Sequence, residues 1–224
     1  MELLKLKAVY QRGINMPPIA ALFLLLLCGC RSNTDTLPFY NTADFTAEWI
    51  SKSDPAYANI HTIDNFALQN QLGHGINKDS LTGHVYVANF FFSTCPSICP
   101  VMMSNLQQVS HQFADNPEVK LVSFSVMPWR DDVKQLHDYA SIHHINNNQW
   151  YLLTGNQNQI YNLGRRSYFS EKKAGLGKDN SAFLHTESML LIDKKSRIRG
   201  IYTATDTGQI KRVIADIYIL LKEK

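Results

Sequence analysis

From residue 56 onward the chain alternates short apolar runs with stretches of helical period. Residues 66–70 and 73–77 predict a short leading hairpin, and residues 84–92 a β-branched and aromatic strand of the buried kind. A helix is expected over about 100–113, a strand over 119–126, and a helix over 131–142 that opens on an acidic first turn. Residues 150–153 predict a strand and 156–163 a short helix. Residues 188–193 and 198–202 pair as a hairpin across Lys194-Lys195-Ser196, and 208–221 closes the chain as an amphipathic helix. This order makes one α/β domain over residues 56–224, a central mixed sheet flanked by helices. The stretch is long enough to bury a core and too short for two typical domains.

The first 29 residues follow another pattern. Lys5, Lys7 and Arg12 form a basic start, residues 19–27 an apolar run too short to span a bilayer comfortably, and Leu27-Cys28-Gly29-Cys30 has the shape of a bacterial lipobox. These features predict a lipoprotein signal over 1–29, starting at Met1 or Met16, with cleavage before Cys30 and lipid on that sulfur. An uncleaved apolar anchor is the other reading. Both put the rest of the chain outside the cytoplasm, in the bacterial cell envelope and tethered to a membrane. Residues 30–55, polar and irregular around Pro38, predict the tether. Removing residues 1–29 takes away three basic groups and one acidic one, so the net charge falls from +3 to +1. Neither value suggests a nucleic-acid footprint.

Two cysteines then remain in the folded part, Cys95 and Cys99, in the run Phe92-Ser93-Thr94-Cys95-Pro96-Ser97-Ile98-Cys99-Pro100. They directly follow a strand, where an α/β sheet presents reactive groups at its carboxyl edge. Pro100 disfavours helical geometry at Cys99 and itself suits a first helical turn, so Cys99 is expected at the helix N-terminus. Unpaired N–H groups and the macrodipole favour a thiolate there. The bland alternative is a structural disulfide. Closing so short a loop contributes only about 2 kcal/mol, against about 4.7 kcal/mol for a loop of about 100 residues, so chemistry explains the pair better. In an oxidising compartment Cys95 and Cys99 drift toward a disulfide unless a reductant or a metal holds them.

A βαβ core followed by a hairpin and a helix is the thioredoxin arrangement, and the cysteines fall where its reactive loop lies. Residues 89–100, Phe183-Leu184-His185-Thr186 and, more loosely, Phe124-Ser125-Val126-Met127-Pro128-Trp129-Arg130-Asp131 resemble the Sco (SenC) family of membrane-tethered, copper-handling, thioredoxin-like proteins. The similarity runs from about residue 63 through the terminal helix. It implies a metal site of Cys95, Cys99 and His185 that holds one copper ion per domain. Two thiolates and an imidazole suit Cu(I), remain competent for Cu(II), and with a water would also accept zinc. The resemblance further implies a metallochaperone that delivers copper to the dinuclear centre of the copper-bearing subunit of respiratory cytochrome c oxidase, served by an upstream copper donor or thiol reductant. The alternative is a thiol-disulfide oxidoreductase acting on envelope proteins through Cys95 and Cys99. A redox or copper sensor has less behind it, because no signalling domain accompanies the fold.

Three positions depart from the family pattern. Ser97 stands where an acidic residue is common between the cysteines, Leu184 where an Asp often precedes the histidine, and Met127 where the strand-to-helix motif has Asp. Without those acids His185 is expected to be more loosely oriented and metal affinity altered. Met102, Met103 and Met127 read as core filler rather than thioether ligands. His143 and His144 read as a solvated loop, and His61, His74, His84, His111 and His137 have no partner legible in the sequence.

Overall fold

The computed structural model describes residues 36–223, so the signal and Cys30 expectations lie outside the described residues. The expected elements form. A hairpin of β1 (Ala67–Gln69) and β2 (Gly75–Asn77) precedes the central strand β3 (Val85–Phe91), helix α1 (Ile98–Gln112) and β4 (Val119–Ser125). Helix α2 (Val133–Ile142), β5 (Trp150–Leu153) and α3 (Gln157–Asn162) follow, and α3 runs into a single π-helical turn, Leu163–Ser167. A short α4 (Lys172–Gly175), the hairpin strands β6 (Ser188–Ile192) and β7 (Ile198–Thr203), and α5 (Thr207–Lys222) complete the chain.

The strands form one mixed sheet of order β5-β4-β3-β6-β7. β3, β4 and β5 are parallel, whereas β6 runs antiparallel to β3 and pairs with β7. Every residue of β3 is buried because both faces of the sheet are covered, which is why its sequence lacks alternation. Val85, Val87 and Phe91 pack on one side with Met102, Leu106 and Val109 of α1, Leu136 of α2, and Val213 and Ile217 of α5. Tyr86, Ala88 and Phe90 pack on the other with Leu68, Ile76, Ile160, Tyr168 and Leu184. Within this apolar sheet runs one polar row. The Trp150 indole donates to Ser123 Oγ (2.8 Å), and that hydroxyl donates to Asn89 Oδ1 (2.5 Å).

Residues 36–55 depart from the expected tether. Phe39 and Glu48 bond each other's backbones at 2.8 and 2.9 Å, Tyr40 N donates to Ile198 O, and Phe39 and Ala43 are buried against the domain. The compact unit therefore begins at about residue 35. Polar composition hid this, because the apolar residues of this segment are interspersed with polar ones without helical or strand period.

Candidate metal and redox centre

Helix α1 begins earlier than Pro100 suggested, at Ile98 with Ser97 as N-cap. Pro100 is tolerated in the third position because its missing N–H is one of the orphans of the first turn. The Ser97 side chain makes no capping bond. The backbone N–H groups of Ser97, Ile98 and Cys99, together with the Cys99 thiol, act on the Cys95 sulfur and favour its thiolate.

The two thiols consequently differ in the opposite sense to the sequence-based expectation. Partial burial acts to raise the Cys95 thiol, but the bonds it accepts outweigh that and hold it below the ordinary value. Cys99 is only 5% exposed, and burial first, then its hydrogen bond to Cys95, pushes it up to about 12. A helix N-terminus lowers a thiol only when the sulfur meets the free N–H groups. Here it is the Cys95 thiolate that the N–H groups of Ser97, Ile98 and Cys99 favour.

A buried carboxylate supports the loop. Asp131 is 0% exposed and accepts from Ser93 N (3.0 Å), Ser93 Oγ (2.6 Å) and Ser125 Oγ (2.5 Å), so it ties the residues before Cys95 to the end of β4. Its charge also contributes to raising Cys99. The sequence reading places Asp131 in the opening turn of the helix. In the structure Asp132 is the N-cap of α2, bonding Gln135 N at 2.8 Å, and Asp131 faces inward. Two adjacent acids ahead of one helix were the available signal, since only one can cap it.

His185 lies on the irregular segment before β6 and is exposed. Its neighbours are fixed. Phe183 meets Phe92 edge-on with ring centroids 5.7 Å apart, Leu184 is 1% exposed, and Thr186 Oγ1 donates to Ser170 O at 2.7 Å. Gly164 makes room for Leu184, because a Cβ there would stand 2.4 Å from a Leu184 methyl and 3.1 Å from the Phe90 ring. The segment is held from below by Arg165, whose 1%-exposed side chain donates to Glu171 (2.6 Å), Asp179 O (2.6 Å) and Ala182 O (2.5 Å). The Phe92–Phe183 contact thus sets the His185 segment beside the strand end that leads to Cys95. The structure brings Cys95 and Cys99 together and does not bring His185 onto them. Among the described residues no three His, Cys, Asp or Glu side chains are assembled to hold a metal.

Leu184 occupies a core position, so an acid at this point of the chain would face Phe90 rather than the His185 ring. The expectation that its absence leaves the histidine untuned loses its geometric basis. Met102 and Met103 are buried in the core and Met127 packs against it, in keeping with filler roles. The His61 ring bonds Ser167 O at 2.7 Å and tilts against Phe169, and His143 lies against Tyr139. These are structural roles.

Comparison with known proteins identifies the family and the fold. The SCO1/SenC family matches residues 55–222. A SCO1 protein homolog of Bacillus subtilis is 29% identical over 159 residues, covering 70% of this chain and 81% of the relative. Among solved structures, BsSco, described as having a disulfide switch and belonging to the Sco family of cytochrome c oxidase assembly proteins, is 27% identical with a TM-score of 0.62, covering 73% of this chain and 96% of its own. A SCO1/SenC family lipoprotein from Bacillus anthracis is 25% identical with a TM-score of 0.63, at 72% and 96% coverage. Copper-bound ScoI of Arabidopsis thaliana, at 24% identity and TM-score 0.55 over 69% of this chain and 97% of its own, shares the fold.

Proposed function

The chain belongs to the SCO1/SenC family, and on that premise we propose that it is a copper metallochaperone for the assembly of respiratory cytochrome c oxidase. Cys95 and Cys99 are the primary ligands and His185 completes the site. The single observation that carries the reading is the thiol pair itself, a half-buried Cys95 and a buried Cys99 gathered at the strand–helix junction. Two thiolates select a soft ion, and Cu(I) is the soft ion of this donor set. The relatives support the cargo and the destination, since one is described as an oxidase assembly protein and another as copper-bound.

Delivery follows from the exposure of the third ligand. His185 is an exposed side chain on an irregular segment, so closing on and opening from the thiols needs no rearrangement of the sheet. Copper captured by Cys95 and Cys99 passes to the receiving thiolates of the oxidase subunit by stepwise exchange. Lipid on Cys30 holds the domain at the envelope membrane in this reading, as the description of the Bacillus anthracis relative suggests.

The unlike thiols favour a second reading, disulfide reduction. The Cys95 thiolate attacks one sulfur of a partner disulfide and releases the other as thiolate. Cys99 then loses its proton and attacks Cys95, which frees the second partner sulfur and leaves a Cys95–Cys99 disulfide for an external dithiol to reduce. Anaerobic Cu(I) titration of the reduced full chain against a competing chelator, with metal analysis, separates the readings. One copper per chain is expected, lost in Cys95→Ala and Cys99→Ala and weakened in His185→Ala. Undiminished affinity in His185→Ala would remove His185 from the site and leave reduction as the better account.

A further inference from the structure

We propose that the end of the domain opposite the cysteine loop rests on the phospholipid surface, with Trp49 seated at the headgroup level. The proposal depends on the lipid-anchor reading of Cys30. It starts from where the chain enters the fold. The backbone at Leu37 and Pro38 is gripped by Arg199 at the beginning of β7, with bonds of 2.6 and 3.0 Å, and Arg199 also pairs with Glu223 just past α5. The β6–β7 turn lies at the same end, since Gly83 N, just before β3, donates to Lys194 O and Tyr86 pairs with Ile192.

The cysteines leave β3 at its far end. From Val85 to Phe91 is six residue steps, or about 20 Å of strand. Because the domain packs from Leu37, only seven steps separate Cys30 from it, a span of at most about 25 Å. A lipid on Cys30 therefore keeps this end close to the bilayer, and the long tether suggested by composition is largely folded away.

The surface at this end is suited to that position. Leu37, Phe39, Trp49, Ile50 and Tyr57 line a cleft of about 400 Å³, and Trp49 is 65% exposed. An exposed indole beside apolar side chains, polar at one edge, matches the membrane interface. Of the acids at this end, Asp193, Glu118 and Glu223 are each held by a cation, Glu48 accepts from Asn41, and Asp54 accepts from Ala56 N. Lys195 covers the Tyr57 ring beside the cleft.

The test uses the full processed chain in vesicles of phosphatidylethanolamine and phosphatidylglycerol whose acyl chains carry bromine, a short-range quencher of indole fluorescence. Emission should be partly quenched, and that quenchable component should vanish in Trp49→Phe but persist in Trp129→Phe, whose indole lies at the cysteine end. A chain that floats with the vesicles while Trp49→Phe leaves the quenching unchanged, or with no quenching to lose, overturns the footing alone. A chain that does not float overturns the anchor and the footing with it.

Discussion

Alkylation of the reduced chain at pH 7 should label Cys95 well before Cys99. With Cys99 pushed up to about 12, its thiolate fraction at that pH is on the order of one in 100,000. Cys95 lies below the ordinary thiol value of 9.0, so its fraction is at least about one in a hundred, roughly a thousandfold more. The less acidic thiol forms the stronger nucleophile, which returns about twentyfold to thirtyfold over such a gap. A rate ratio of at least about thirtyfold remains, and the burial of Cys99 adds to it. The assay is timed iodoacetamide labelling under argon, quenched and read peptide by peptide by mass spectrometry. Cys95→Ser should speed Cys99 only in part, because burial, its first cause, stays. Equal rates at pH 7, or Cys99 reacting first, would refute the assignment of the helix N–H groups to Cys95. The stability consequences have opposite signs. The raised Cys99 contributes stability that is full below its unfolded value and lost as pH climbs from 9.0 toward about 12. The lowered Cys95 contributes stability present above its unfolded value and lost as pH falls through its folded one.

Arg165→Met should lower the unfolding midpoint by about 6 to 20 °C, since stranding a buried ion-pair partner costs about 3 to 5 kcal/mol and each kcal/mol shifts a domain of this size by about 2 to 4 °C. A drop under about 2 °C by circular dichroism would mean that Lys178 alone satisfies Glu171 and that the 179–182 carbonyls find water. Leu184→Asp should destabilise the domain by about 3 kcal/mol or more, because it empties a packed site and buries a carboxyl beside Phe90. An unchanged urea midpoint would show that the side chain can turn outward toward His185.

The sheet and its helices were legible because their signals are local. β3 lacks alternation, the loop after it carries its cysteines, and the 194–196 turn separates two clear strands. The site's electrostatics were less legible for a geometric reason. Sequence put Cys99 on the helix, and that was right, but it could not say which sulfur points at the N–H groups. Asp131 was hidden by its neighbour Asp132, and Leu184 by a family pattern whose acid implied an outward-facing position. His185 was singled out by its place before β6. The bend that brings its segment to the loop is made by Phe92–Phe183 and the Arg165 bonds, contacts between residues far apart in the chain.

The polar row across the sheet bears on where the thiols end up. β3 and β4 are largely buried on both faces, so a slide of two residues would keep every side chain on its own face and is opposed by little in the inside–outside pattern. Such a slide displaces one strand by about 7 Å along the other. It would separate Asn89 from Ser123, and Ser123 from the Trp150 indole, leaving polar atoms stranded in the core. It would also carry Ser125 away from the strand end that leads to Ser93, pulling apart the two residues that Asp131 joins. Three buried side chains within the sheet thus help set the height at which the Ser93 turn before Cys95 meets Asp131, and a neutral-looking exchange of Asn89 for a hydrophobic residue would act on the thiols through strand alignment.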